Sequence, residues 1–175
     1  MRIGTLVTTL ALAFVSATAS AQSITYDYDR SADFSTLKTY SWTSGLNLPD
    51  ELNHKRIVSA IEAQLAAKGL TRAASSGDAD VLVAYHARLD RDVQFNASSS
   101  GLGAPRFGNR TGSARAEEIV NGTVVVDMID ARTQATLWRG IARKEVDPKA
   151  SPEKRDREVN KAVEKLFKKF PPAKS

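Results

Sequence analysis

The sequence contains no cysteine among its 175 residues. This absence excludes disulfides, thiolate metal sites and cysteine nucleophiles. It also excludes the anchor of bacterial lipoproteins, because the lipid is attached to a cysteine directly after the signal-cleavage point. We therefore expect a protein that is stabilised by its hydrophobic core and carries no covalent lipid anchor.

Histidine is nearly as scarce, with only His54 and His86 in the chain. Neither has a second histidine at ligand spacing, and a zinc site needs several converging ligands. We expect His54 to be an exposed helix residue and His86 to lie on the less buried side of a strand. No serine lies in a GxSxG motif. The sequence thus predicts no catalytic residue, no metal site and no cofactor.

One acidic stretch resembles the first half of a calcium loop, with oxygen-bearing side chains at alternate positions: Asp27, Asp29, Ser31 and Asp33. A complete calcium loop needs a glycine for its sharp turn and a bidentate glutamate at its end. Here Ala32 and Lys38 occupy those positions. We therefore interpret Asp27 and Asp29 as the solvent face of a strand, and Asp33 as the cap of a turn.

The chain also lacks an apolar run of about 18 residues, the length that spans a membrane. Its longest apolar segment, 6–15, follows Arg2 and precedes the small residues Ala19, Ser20 and Ala21. That order is typical of a cleaved secretory signal. We predict a signal peptide at 1–21, a single domain at 22–172 and a C-terminal tail at 173–175, with no transmembrane span after cleavage.

The sequence also lacks a strong excess of positive or negative charge, since it contains 25 Lys and Arg residues and 20 Asp and Glu residues. Because Arg2 is the only charged residue of the signal segment, the exported chain keeps 24 basic residues, and 24 minus 20 gives a charge of +4. Acidic residues are interspersed almost everywhere. A nucleic-acid binder usually concentrates its basic residues beside stacking aromatics, so we expect no nucleic-acid partner.

The hydrophobic pattern predicts a small α+β domain. Apolar residues alternate in the predicted strands and recur at helical spacing in two segments that have capping residues at their starts. The predicted order is strands at 23–29 and 39–43, a helix at 50–69, strands at 79–89, 119–130 and 136–145, and a helix at 151–170. The segment 96–111 is rich in glycine, serine and asparagine, which predicts a mobile hairpin loop between the third and fourth strands. This order, ββαβββα, predicts a mostly antiparallel sheet with two helices on one face.

Residues 26–42, YDYDRSADFSTLKTYSW, resemble the opening of the bacterial envelope family called domain of unknown function 4136. The segments 66–70 (AAKGL), 79–87 (ADVLVAYHA), 124–140 (VVVDMIDARTQATLWRG) and 160–172 (NKAVEKLFKKFPP) fit the resemblance in the same order. The family comprises secreted or lipid-anchored envelope proteins without an assigned reaction. Since many members look like lipoproteins, the missing cysteine is a departure from the family pattern.

The predicted C-terminal helix carries a stripe of basic residues, which we call the basic stripe: Lys154, Arg157, Lys161, Lys165 and Lys168. Their spacing of three or four residues places them on one helix face. The stripe could contact an anionic envelope surface, or it could be an ordinary solvated face opposite the core.

Three aromatic residues, Tyr40, Trp42 and Trp138, lie in predicted strands. They could form a platform for a glycan or a peptide, because aromatic rings offer large contact areas at low entropic cost. The alternative is that the tryptophans pack beneath the helices, as aromatic residues in strands usually do.

These observations favour a non-catalytic periplasmic domain that binds another envelope component, either a protein or an anionic surface. Such a protein could also be peripheral to the outer membrane. Two alternatives remain open: an enzyme of unrecognised type that acts on envelope polymers, and a structural assembly subunit. A glycosidase would need two carboxylates across a cleft, and the sequence alone cannot pair them.

Overall fold

The computed structural model describes residues 22–43, 50–97 and 114–172. The strands and helices, in chain order, are β1 Ser23–Tyr28, β2 Thr39–Trp42, α1 Glu51–Ala67, β3 Thr71–Arg72, β4 Val81–Ala97, β5 Ala114–Asp130, β6 Thr136–Glu145 and α2 Pro152–Phe167. The predicted α+β class is confirmed. Among the described residues, the structure adds the short strand β3, whose two exposed residues are too few to show an alternating pattern, and a 3-10 turn at Ser76–Asp78. The strands predicted at 79–89 and 119–130 are longer than expected, since β4 continues to Ala97 and β5 begins at Ala114.

The strands form one six-stranded sheet in the order β1-β6-β5-β4-β2-β3. Strands β1, β6, β5 and β4 pair antiparallel, whereas β2 pairs parallel with both β4 and β3. The parallel pairing arises because α1 separates β2 from β3 and β4, and a crossover of this kind returns the chain in the same direction.

Capping residues set where the helices begin. The Asp50 carboxylate accepts hydrogen bonds from the backbone N–H groups of Leu52 (3.0 Å) and Asn53 (3.2 Å) at the start of α1. Gly69, with φ of +83°, follows the end of α1 in the left-handed conformation that glycine adopts readily. The Ser151 hydroxyl caps α2, whose first residue is Pro152.

The hydrophobic core lies between the two helices and one face of the sheet. Alternate residues of the central strands point into it, as the period of two requires. Its buried members include Val81, Val83, Tyr85, Val126, Met128 and Trp138 from the sheet, with Ile57, Ile61, Leu65, Val163, Leu166 and Phe167 from the helices. An ion pair between Arg56 and Asp156 joins α1 to α2.

Three sequence-based predictions fall wholly or mostly on residues outside the described ranges. They are the signal peptide at 1–21, the tail at 173–175 and a glycine-rich connecting loop at 96–111. Of that loop, only Asn96 and Ala97 are described, and both belong to β4. Within the ranges that the structure describes, no helix combines the length and apolar character needed to cross a membrane.

Candidate functional site

A cavity of about 340 Å³ lies between α1, α2 and the sheet. Its floor consists of Ala87, Gly122, Val124 and Ala142, from three adjacent strands. Ala87 is in register with Val124, and Val124 with Ala142. Because these side chains are small, they leave a gap below the helices. We call this feature the apolar pocket.

The walls of the apolar pocket are also apolar. Ile57 of α1 and Val159, Ala162 and Val163 of α2 line it. Ala162 of α2 again contributes only a methyl group to the lining. The hollow therefore has an identifiable cause in the sequence, which is small residues at facing positions of α2, β4, β5 and β6.

Leu89 and Val146 also line the pocket, and we call the part beside the exposed Leu89 its mouth. Gly122 lies between them in the floor, and a Cβ atom built there would be 3.6 Å from Leu89 Cδ2 and 3.0 Å from Val146 Cγ1. Leu89 is 50% exposed, which is unusual for a leucine at the centre of a strand. The mouth is thus apolar and accessible.

Charged residues surround this apolar interior and pair with one another. Lys144 Nζ lies 3.0 Å from Glu158 Oε1, which ties β6 to α2. Arg91 Nη1 lies 3.7 Å from Glu118 Oε1 across the β4–β5 pair. Asp50 is engaged as the cap of α1. These lining groups therefore satisfy their charges locally.

The remaining charged lining residues are satisfied in the same way. Asp147 accepts a hydrogen bond from Lys154 Nζ at 3.0 Å. This bond and the backbone N–H of Lys149 lower the pKa of the Asp147 carboxyl. Arg155 donates to the backbone oxygens of Ala150 (3.1 Å) and Pro148 (2.8 Å). Arg88 Nε lies 2.9 Å from Asp90 Oδ2.

The structure does not bring the three aromatic residues of the predicted platform together on the surface. Tyr40 and Trp138 are buried in the core, with 4% and 0% exposure. Trp138 packs against Phe167 and Phe170, at ring-centroid distances of 5.9 and 5.4 Å.

Trp42 is half-buried in a separate ring cluster with Tyr40 and Tyr85. Its indole N–H donates to Glu62 Oε1 at 2.9 Å. The tryptophan N–H groups are thus bonded within the fold, since that of Trp138 donates to the Lys169 backbone oxygen.

The basic stripe lies on the side of α2 away from the core, where Arg157, Lys161 and Lys168 are exposed. Lys168 Nζ lies 2.9 Å from Glu164 Oε1, one turn earlier. Lys154 is bound to Asp147, and Lys165 is half-buried. Two of the five residues therefore already have acidic partners within the protein.

His54 differs from its predicted exposed position. It is half-buried, and its Nδ1 is hydrogen-bonded to the hydroxyl of Tyr85, a buried residue of β4. Burial raises the pKa of Tyr85. The helical pattern of α1 gave no signal for this contact, because the partner lies 31 positions later in the sequence.

His86 lies on the sheet face opposite the helices, and it neighbours a buried acid that sequence reasoning missed. Asp127 is 3% exposed and accepts hydrogen bonds from Arg139 Nε (2.5 Å) and Nη2 (3.1 Å). His86 Nε2 lies 3.8 Å from Asp127 Oδ2. The hydrogen bonds between Arg139 and Asp127 raise the pKa of Arg139. The sequence feature that could have identified this ion pair is the register of the hairpin formed by β5 and β6, which places Asp127 opposite Arg139.

The acidic residues near β1 form local bonds. Asp29 Oδ1 accepts from the hydroxyl (2.6 Å) and backbone N–H (2.8 Å) of Ser31, which lowers the pKa of Asp29. Asp33 binds Ser35 in the same manner. Across the ranges that the structure describes, no group of three or more histidine or acidic residues is arranged to hold a metal ion.

Comparison with known families adds one decisive match. The family model for the domain of unknown function DUF4136 matches residues 24–172. The chain belongs to the DUF4136 family. This confirms the resemblance inferred from the sequence. A comparison with curated proteins finds no match.

Solved structures share the fold of this DUF4136 chain. A PDZ domain protein from Parabacteroides distasonis matches with a TM-score of 0.55 and 16% identity, covering 89% of this chain but 38% of that one. This chain therefore spans less than two fifths of that neighbour. A DUF4136 family protein from Bacteroides thetaiotaomicron has a TM-score of 0.50 and 14% identity, with coverages of 86% and 96%.

A third similar structure is the PelC dodecamer from Paraburkholderia phytofirmans. Its TM-score is 0.50 at 11% identity, with 84% of this chain and 95% of that chain covered. At these identities the likeness concerns the fold alone.

Proposed function

We propose that this DUF4136 protein is a non-catalytic binding domain of the bacterial cell envelope, with the apolar pocket as its binding site. The observation that carries the proposal is a 340 Å³ cavity with apolar floor and walls. Cavities of about 300 to 1,000 Å³ with mostly apolar linings are typical of ligand sites.

The chemistry of the pocket supports binding rather than catalysis. A general acid or base needs a titratable group that can exchange a proton with the bound molecule. In this pocket, Glu158 is paired with Lys144, and Asp147 is hydrogen-bonded to Lys154. Asp147 has a lowered pKa, the opposite of the raised pKa of a carboxyl that donates a proton near neutral pH.

The envelope location rests on the N-terminal sequence. Arg2, the apolar segment 6–15 and the small residues before Gln22 are those of an exported protein. Export would place the domain in the periplasm without a lipid anchor. Intact-mass analysis of the purified protein tests this point: a chain that starts at Gln22 and carries no added mass supports export, and a retained Met1 contradicts it.

Crosslinking in intact cells tests the binding site itself. A photocrosslinking amino acid replaces Leu89 at the mouth of the pocket, and a matched variant carries it in place of the exposed Ala63 of α1. We expect a defined adduct from position 89 only. Adding Ala162→Leu, which fills the pocket, should abolish that adduct. Equal labelling from both positions would contradict the proposal.

A second candidate function, an assembly subunit, is favoured by an open strand edge. Strand β2 pairs with β4 only at Val81, Leu82 and Val83. Among the described residues, no strand pairs with the outer edge of β4 beyond them. Open edges readily pair with another chain, and the similar PelC structure is a dodecamer. Native mass spectrometry tests this candidate, because a monomer at micromolar concentration would contradict it.

A further inference from the structure

The shape of the pocket indicates an elongated ligand. Beyond the mouth, the same face of β4 carries Leu89, Arg91 and Val93. Leu89 and Val93 are 50% and 59% exposed, and Arg91 is paired with Glu118. We call the line from Ala87 through Leu89 to Val93 the apolar track. Successive strand residues are spaced about 3.3 Å apart, so the track is about 20 Å long. Pocket and track together form an elongated path whose exposed apolar residues, Leu89 and Val93, flank the Arg91–Glu118 ion pair.

The lining indicates an uncharged ligand segment. Transferring a polar group into an apolar site costs free energy unless it finds a hydrogen-bond partner there. The floor and walls offer aliphatic side chains from Ile57, Val124 and Val159, together with alanines and a glycine. The nearby charges of Lys144 and Glu158 already satisfy each other. A sugar or an ion would have to compete with these internal pairs, whereas a hydrocarbon chain leaves them intact.

We infer, building on the proposed function, that the apolar pocket and track bind one unbranched acyl chain of an envelope lipid. The methyl end occupies the cavity between α1 and α2, and the rest of the chain follows the track. The polar head remains in solvent beyond Val93. The volume of 340 Å³ is at the small end for ligand sites, which suits part of one chain rather than a whole lipid.

A chain-length series tests this inference directly. Isothermal titration of the purified exported protein uses octanoic, dodecanoic and hexadecanoic acids below their micellar concentrations. Each additional buried methylene should tighten binding about fourfold until the track is filled. Affinity that does not depend on chain length, or no binding of any of the three acids, would overturn the inference.

Two variants locate the chain. Ala162→Leu adds a side chain inside the pocket, and Ala63→Leu makes the same change on the exposed surface of α1. We expect Ala162→Leu to weaken dodecanoic acid binding by at least about tenfold, with Ala63→Leu unchanged. The double variant Leu89→Ser, Val93→Ser should keep octanoic acid binding and lose the gain from longer chains. Equal effects of the two alanine variants would contradict the assigned site.

Two further measurements complete the test. Lysophosphatidylethanolamine with a sixteen-carbon chain tests whether the acyl chain belongs to a lipid or to a free fatty acid. Binding equal to that of hexadecanoic acid identifies a lipid, and weaker binding identifies a free fatty acid.

If fatty acids fail to bind while the position-89 crosslink persists and is lost in Ala162→Leu, the acyl-chain inference fails and the binding function stands. If both fail, so does the proposed function.

Discussion

The two ends of the helix–sheet interface differ sharply in packing. At one end, Trp138, Phe167 and Phe170 fill the space, with ring centroids 5.4 to 6.1 Å apart. At the other end, alanines and a glycine leave a cavity of about 340 Å³. We call these the filled end and the hollow end. The same helix, α2, covers both.

A glycine in the sheet plays a different role at each end. At the filled end, a Cβ atom on Gly140 would lie 2.7 Å from Leu166 Cδ1 and even closer to the Trp138 ring. Glycine is therefore required there so that the indole can pack against the sheet. At the hollow end, a Cβ atom on Gly122 would meet Val146 Cγ1 at 3.0 Å and Leu89 Cδ2 at 3.6 Å, so only the Val146 side chain would have to give. The comparison teaches that side-chain volume, rather than backbone architecture, divides this interface into a filled part and a hollow part.

The largest expected effect comes from emptying the filled end. Trp138→Ala should lower the free energy of unfolding by about 3 to 5 kcal/mol, because it removes a fully buried indole and leaves a cavity. Val159→Ala at the hollow end should cost about 1 kcal/mol. Urea denaturation of both variants measures the difference. Similar losses would show that the two ends do not differ energetically.

The second effect comes from adding a methyl group to each glycine. Gly140→Ala should destabilise the fold by about 1 to 3 kcal/mol, since the tryptophan must shift to make room. Gly122→Ala should cost less than Gly140→Ala, because only Val146 must give by a few tenths of an ångström. Thermal unfolding compares them, and a larger loss for Gly122→Ala would contradict the assignment of the two ends.

A third effect concerns Asp80, which precedes β4 near the filled end. Its carboxylate accepts from the backbone N–H groups of Lys38 (2.9 Å) and Thr39 (2.8 Å). These bonds lower the pKa of Asp80. Because the folded pKa lies below the unfolded one, this stabilisation is present above the unfolded pKa, near about 4, and is lost as the pH falls through the folded pKa.

The measurement for Asp80 is urea denaturation at several pH values. Asp80→Asn should cost about 1 kcal/mol at pH 7, and the cost should shrink as the pH falls below about 4. The exposed Asp156→Asn variant serves as a control for loss of a single surface ion pair with Arg56. A cost for Asp80→Asn that does not vary with pH would argue against the hydrogen-bonded carboxylate as its source.

A smaller effect, of opposite sign, is expected from filling the hollow end. Ala162→Leu should raise the free energy of unfolding by about 0.5 to 1 kcal/mol, because cavity filling buries added apolar atoms. The same variant should lose acyl-chain binding. Differential scanning calorimetry gives the stability, with Ala63→Leu as the matched surface control. Destabilisation by Ala162→Leu alone would show that the cavity cannot accept extra atoms.

The smallest expected effect on stability concerns the basic stripe, which runs along α2 across both ends. Replacing Lys161, Lys165 and Lys168 by glutamine should change stability by less than about 0.5 kcal/mol. If the stripe contacts an anionic surface, these changes should reduce co-sedimentation with phosphatidylglycerol vesicles, and salt should weaken the binding of the unmodified protein. No sedimentation of the unmodified protein would leave the stripe as a solvated helix face.

Local patterns in the sequence determined most of the architecture. Alternation identified the strands, helical spacing identified α1 and α2, and Asp50 and Ser151 marked the helix starts. These features are readable because periodicity and capping depend on residues a few positions apart. The order of segments was also enough to indicate the DUF4136 family.

Only the tertiary structure decided which distant residues meet. The two-residue strand β3 forms because β2 lies beside it, and the buried Asp127 is paired because β6 places Arg139 opposite. The apolar pocket needs small residues from β4, β5, β6 and α2 to face one another. Each of those residues is unremarkable in its own segment, so no local pattern marks the site. The apolar pocket exists because the fold brings these residues together and leaves the space between them unfilled.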